Sequence, residues 1–332
     1  MNFIEPKFLE LCAGAGGLSS GLIKAGFTPL LLNDIDKNCC ETLKKNHSDF
    51  KKLEIKCSPM EDLDLSKFKG IDLLVAGTSC QSFSSSGLRK GFDDPRGKVM
   101  LKFIDMIHDL KPKVFLIENV KGLLTHNKGE SMKEVIRLLS ANDTYEVQYK
   151  VLKAVDFDVP QKRERVFIVG TRKDLKLKFE FPAPVTKIPK TVKDALFEVP
   201  TSEGAKYSQE KIELFKLIPQ GGNWKNLSID MQKKYMGNSY ESSGGKTGYL
   251  HRLSWDKPCV TLLCSPSQKQ TERCHPSEER PLTVREYARI QTFDDSYEFM
   301  GSMASKYKQI GNAVPVELAK HIGLALLKTL RK

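Results

Sequence analysis

No apolar run in this sequence reaches the roughly 18 to 20 residues that a membrane-crossing helix needs, and the opening stretch MNFIEPKFLELC lacks the basic-then-apolar layout of a secretory signal. Both absences point to a cytoplasmic protein. The eight cysteines, at 12, 39, 40, 57, 80, 259, 264 and 274, include no C-x-x-C pair. Cys39 and Cys40 are adjacent inside a helical pattern, which suits no disulfide framework, so reduced thiols are expected. Cys274 beside His275 is the one local hint of zinc; no second ligand pair stands at finger spacing, and no metal site is expected. Acidic residues are outnumbered, 41 Asp and Glu against 53 Lys and Arg, for a net charge of +12 and a pI near 9.2. Such an excess suits the approach to a polyanion, whose phosphates release counterions when neutralised. It equally suits a Lys-rich proteome, and charge alone does not choose.

What is present reads as an α/β protein. At 332 residues and 40% hydrophobic content, the chain exceeds what one core usually organises, so a main domain with a second, smaller one is expected. Apolar runs at 7 to 13, 29 to 34, 71 to 77 and 114 to 120 alternate with amphipathic helical patterns at 18 to 25, 36 to 46, 98 to 110 and 131 to 140. That alternation predicts a mostly parallel, doubly wound sheet. YEVQYKVL and RVFIVGT, on either side of the turn at Pro160, predict an antiparallel edge hairpin. Prolines at 182, 184, 189 and 200 mark a linker, and the turn-rich stretches GGNW, NSYESSGGKTG and SPSQKQTERCHP predict a loop-dominated second domain. The resulting division is 1–184, 185–300, and 301–332, the last a helical face with apolar residues at 318, 322, 326 and 327 that returns to the first domain.

Three local patterns carry chemistry. Gly14, Gly16, Gly17 and Gly21 stand between the first strand and first helix, where backbone N–H groups can approach a ligand closely. Asp34 follows Gly14 by twenty residues at the end of the second strand, the place of a ribose-binding carboxylate. A dinucleotide fingerprint fails at Ser19, and a tight turn with a solvated Asp fits equally well. Cys80 stands just past a strand's carboxyl end, and Glu118 ends the strand expected beside it. In isolation each is as well read as a small buried hydrophobe and an ordinary strand end. In Gln161-Lys162-Arg163-Glu164-Arg165, strand alternation puts Arg163 and Arg165 on one face; a solvated edge blunted by charge is the plainer reading.

Taken in order, F-L-E-L-C-A-G-A-G-G, N-D-I-D, S-C-Q-S-F-S, E-N-V, Q-K-R-E-R, R-P-L-T-V-R-E-Y-A-R-I-Q and Q-I-G-N-A-V-P resemble the motifs of bacterial-type DNA (cytosine-5) methyltransferases, through nearly the whole chain. The resemblance implies transfer of a methyl group from S-adenosylmethionine to carbon 5 of a cytosine flipped out of duplex DNA. It makes Cys80 the nucleophile that adds to carbon 6, and Glu118 the carboxyl that meets the N3 edge. Arg165 would contact the carbonyl at carbon 2, Arg163 would hold the site or a phosphate, and Asn119 and Val120 would orient carboxylate and ring. Gln81 matches a position that enters the duplex, while Ser84, Ser86 and Arg96 match positions that touch the DNA backbone. Gly14, Gly16, Gly17, Asp34 and Asn312 match cofactor positions.

The departures are local. Cys12 stands where the family usually has Phe, and Ile35 where it often has an aromatic, which implies weaker adenine stacking. The acidic cofactor position near Pro59-Met60-Glu61-Asp62 is out of register and is assigned to Asp62. Ser79 replaces the proline that precedes the nucleophile, freeing a backbone dihedral. Residues 185–300 take the place of the family's target-recognition domain, and R-L-S-W-D-K-P followed by E-R-C-H-P resembles members that modify GGNCC-like or GGWCC-like sites. A monomer is expected, paired functionally with a restriction endonuclease. The alternatives are a tRNA cytosine-5 methyltransferase and a catalytically silent DNA-binding relative; an NAD-dependent oxidoreductase is disfavoured by Ser19.

Overall fold

A computed structural model describes residues 5–78, 95–242 and 246–331, with residues 95–97 described as backbone only. The first half contributes β1 (Lys7–Leu11), α1 (Gly17–Lys24), β2 (Thr28–Asp34), α2 (Lys37–Asn46), β3 (Glu54–Cys57), β4 (Leu73–Gly77), α3 (Pro95–Leu110), β5 (Val114–Val120), α4 (Gly122–Thr125), α5 (Glu130–Leu139), β6 (Tyr145–Lys153), β7 (Gln161–Lys162) and β8 (Glu164–Arg172). Seven of these strands form one sheet in the order β3-β2-β1-β4-β5-β8-β6. The β1 to β5 strands pair in parallel, and β8 runs antiparallel to both β5 and β6. Continuous apolar runs such as Leu73–Gly77 and Val114–Val120 form central strands because helices cover both faces. One face packs Phe8, Leu116 and Phe167 against Leu18, Leu22, Leu318 and Ile322. The other packs Leu9, Leu74 and Ile117 against Phe103, Ile107 and Val135. The hairpin expected after residue 145 is present, with β6 at the sheet edge and β8 interior to it.

The second half contains α6 (Val192–Leu196), α7 (Gln209–Lys216), α8 (Ile229–Met236), β9 (Cys259–Val260), α9 (Val284–Ile290), α10 (Met303–Asn312) and α11 (Val316–Leu330). Most of its residues lie in turns and loops, and α6 to α10 start on side-chain caps at Thr191, Ser208, Ser228, Thr283 and Ser302. Tyr207, Phe215, Trp224, Leu227, Met236, Tyr249 and Leu250 form a core of their own. Fully buried Glu272 braces it, accepting from Lys211 Nζ at 2.8 Å, Tyr235 Oη at 2.5 Å and the Leu250 amide at 2.5 Å. Among the links that tie this half to the end of the sheet, β9 pairs in parallel with β7, and Gln161 joins the Leu262 amide to the Gln291 side chain. In the last helix Leu318, Ile322, Leu326 and Leu327 pack in the core that α1 lines. Among the described residues no helix is long and apolar enough to cross a membrane.

Candidate active site

The turn between β1 and α1 is built on left-handed backbone at Cys12, Gly14 and Gly16, with φ of +54°, +55° and +80°. Glycine relieves the strain at two of the three positions. Asp34, at the end of β2, reaches across the turn: its Oδ2 accepts from the Gly14 amide at 2.7 Å and its Oδ1 from the Asp36 amide at 2.8 Å. A methyl group built on Gly14 would meet no atom within 4 Å, so this part of the turn faces open space. One built on Gly17 would overlap the Val314 carbonyl oxygen, and one on Gly21 would overlap Ala319 Cβ. The four glycines of the motif therefore divide, with Gly14 facing the opening and Gly17 and Gly21 letting α1 approach the segment that leads into and through α11.

Ile35 is 70% exposed beside Asp34, an apolar side chain with little to pack on. Cys12 is half-buried, and desolvation together with the charges of Asp34, Glu10 and Glu61 pushes its thiol up to about 12. Glu61 and Asp62 are both exposed in the neighbouring turn, and the charge of Glu61 reaches Cys12. Asn312 precedes Ala313 and Val314, which pack on Gly17, and its Oδ1 accepts from Cys264 Sγ at 3.1 Å. Under the turn lies a residue that the sequence reading missed. Glu10, one polar position inside an apolar strand, is 1% exposed; burial and the Asp34 and Glu118 carboxylates raise its pKa to about 8, with Ser19 opposing. The motif's own glycines drew attention from it.

Strands β4 and β5 put Gly77 directly beside Glu118. Glu118 is 8% exposed, and its Oε1 pairs with Arg165 Nε at 2.9 Å. Burial raises the Glu118 pKa, and the positive charges of Arg165 and Arg163 only partly offset that rise. A methyl group built on Gly77 would meet Glu118 Oε2 at 3.6 Å and the Cys12 carbonyl at 3.8 Å, which puts the carboxyl next to the glycine turn. Arg163 is also buried, and its guanidinium donates to the Leu262 carbonyl at 3.1 Å and the Gly311 carbonyl at 3.0 Å. It clamps the sheet end to the 262 loop and α10 at the residue where the chain passes from β7 to β8, and its charge also reaches Glu118. Asn119 Nδ2 donates to Thr78, at 3.3 Å to the carbonyl and 3.1 Å to Oγ1, and its Oδ1 accepts from the Val120 amide at 2.8 Å. Cys80, Gln81, Ser84 and Ser86 lie outside the described residues, as does the Arg96 side chain. Of the described thiols, burial raises those of Cys39, Cys40, Cys259, Cys264 and Cys274 as it does Cys12, the opposite of what a nucleophile needs.

The family model for the C-5 cytosine-specific DNA methylase matches residues 6–328. The chain belongs to that family. It is 48% identical to the Type II methyltransferase M.PspPI of Psychrobacter sp. (strain TA137), over 98% of this chain and 81% of the relative. It is 46% identical to the Type II methyltransferase M.Eco47II of Escherichia coli, over 98% and 79%. Among solved structures, a candidate DNA modification methyltransferase encoded in an E. coli prophage superposes with a TM-score of 0.73 at 25% identity, covering 98% of this chain and all of that one. The expected α/β methyltransferase fold is thereby established.

Membership brings S-adenosylmethionine as methyl donor and DNA as substrate. The residues present fit the donor. Gly14 leaves room for a ligand against backbone N–H groups, the Asp34 carboxylate keeps lone pairs for ribose hydroxyls, and exposed Ile35 offers an apolar surface to a purine. Glu118 then stands beside Gly77, at the end of the strand leading to Cys80, and burial raises its pKa, which favours the protonated form that can donate a hydrogen bond.

Proposed function

We propose that this chain is the modification methyltransferase of a Type II restriction-modification system, acting on a flipped-out cytosine in a short duplex sequence through a covalent bond to Cys80. The observation that carries the reading is the buried Glu118–Arg165 pair at the carboxyl edge of the sheet, one strand from the segment that enters Cys80. Carbon 5 of cytosine is too weak a nucleophile to be methylated directly. Addition of the Cys80 thiolate to carbon 6 converts the ring to an enamine, with Glu118 donating to N3 as negative charge develops. Arg165 holds the Glu118 carboxyl in place and lies within reach of the carbonyl at carbon 2. S-adenosylmethionine supplies the methyl group to carbon 5 when bound. Loss of the carbon 5 proton then expels the thiolate and restores the aromatic ring. Attack runs perpendicular to the base plane, which stacked neighbours occupy in a duplex, so the base must be extruded.

Residues 185–300 read the sequence, and their resemblance to members modifying GGNCC-like or GGWCC-like sites makes such a short palindrome the target. The names of M.PspPI and M.Eco47II support the Type II assignment and, with it, a partner endonuclease. The enzyme acts as a monomer. Duplex DNA carrying 5-fluorocytosine at the target tests the mechanism, because fluorine cannot leave carbon 5 as a cation. With S-adenosylmethionine present, wild type should form an adduct stable to denaturing electrophoresis and mapping to Cys80, and Cys80→Ala should form none. A silent DNA binder gives no adduct and a tRNA enzyme gives one on RNA only. Methylation of unmodified DNA without an adduct overturns the covalent route.

A further inference from the structure

We propose that Thr78 is a positioning residue for the nucleophile, its hydroxyl supplying a constraint that the family's proline supplies elsewhere and that Ser79 does not. The proposal rests on Cys80 being the nucleophile. A proline immediately before the attacking cysteine fixes φ and removes a donor, so the backbone enters that residue in one direction. A serine carries neither restriction.

Thr78 is held from two sides. Asn119 Nδ2 donates to both its carbonyl and its Oγ1, and the Asn119 amide cannot turn over because its Oδ1 is engaged by the Val120 N–H. With Oγ1 accepting from Asn119, the Thr78 hydroxyl hydrogen is directed to Met100 Sδ at 3.6 Å. Thr78, Asn119 and Met100 are 2%, 1% and 1% exposed, so water does not compete for these bonds. One hydroxyl thus connects three elements: the strand end that leads toward Cys80, the strand end that carries Glu118, and α3, the helix that follows. Two residues span at most about 7 Å, so fixing Thr78 bounds where Cys80 can lie relative to Glu118.

A threonine that only filled space would be replaced by valine without consequence for chemistry, since the two have the same shape. Thr78→Val leaves Asn119 Nδ2 only the longer bond, to the carbonyl. We expect it to lower kcat and the rate of 5-fluorocytosine adduct formation on the order of tenfold, the scale of a sub-ångström misplacement, with the KM for S-adenosylmethionine unchanged. Thr78→Ser, which keeps the hydroxyl, should stay near wild type. Adding Ser79→Pro to Thr78→Val should restore the adduct rate. Should Thr78→Val not fold, Thr78→Ala carries the same expectations. A wild-type adduct on Cys80 with unslowed trapping in the valine variant, or a loss that Ser79→Pro leaves untouched, overturns the role of Thr78. Absence of a wild-type adduct overturns the nucleophile itself.

Discussion

Arg165 lies opposite Val120 across the antiparallel β5/β8 ladder, two positions along from Glu118 on the same sheet face, and from there its Nε reaches Glu118 Oε1 at 2.9 Å. The pair is almost dry, and burial keeps the carboxyl pKa above its ordinary range against the pull of two arginines. Glu118→Gln retains the shape but cannot share a proton with the ring. Turnover should fall by about a hundredfold or more, while DNA affinity changes far less. Single-turnover methyl transfer and a filter-binding assay would measure the two separately, and near-wild-type turnover across neutral pH would remove Glu118 from the mechanism.

Glu10 makes the folded state sensitive to alkali. Its pKa is about 8 when buried and near 4.5 when the chain unfolds, so between those values the native state binds the extra proton. Its contribution to stability is complete below pH 4.5 and is lost as pH rises through 8. Glu10→Gln, neutral throughout, should therefore flatten the decline in melting temperature over that interval. An equally steep decline in the variant would show that Glu10 is not its source.

Gly21 should tolerate no side chain. In Gly21→Ala the new methyl overlaps Ala319 Cβ and approaches the Val316 carbonyl oxygen to 2.6 Å, an overpacking expected to cost about 1 to 3 kcal/mol. Ala319→Gly in the same chain should recover only part of the loss, because the carbonyl remains. Chemical denaturation would show it, and an unchanged midpoint in Gly21→Ala would mean that α1 and α11 are less closely apposed than described.

Exchange of residues 185–300 for those of a relative with another target should carry the new target with it, since base-edge contacts rather than phosphate contacts hold sequence information. Bisulfite sequencing of methylated DNA reads the result. An unchanged site in an active chimaera would place recognition elsewhere.

The central sheet was legible because β1, β2, β4 and β5 are apolar runs too short for buried helices, set between turn signals and alternating with amphipathic helical patterns. The β3 strand was not, since Glu54–Cys57 is a short edge strand with one apolar residue. Site residues emerged from motif order, but their division of labour did not. Gly21 reads as part of a ligand turn until Ala319 is found against it, a contact no local pattern contains. The QKRER run puts Arg163 and Arg165 side by side, but their partners, the Leu262 carbonyl for one and Glu118 for the other, come from distant segments. Burial of Glu10 is likewise a tertiary property, invisible at the level of a single polar letter.

The floor under the glycine turn is made late in the chain. Tyr297 Oη donates to the Ala15 carbonyl, Thr42 Oγ1 donates to Gln309, and Val314 and Ala319 lie against Gly17 and Gly21. The glycine turn and α1 are therefore shaped by residues far along the chain, and a fragment cut before Tyr297 would keep the turn's own sequence while losing the side chains packed beneath it.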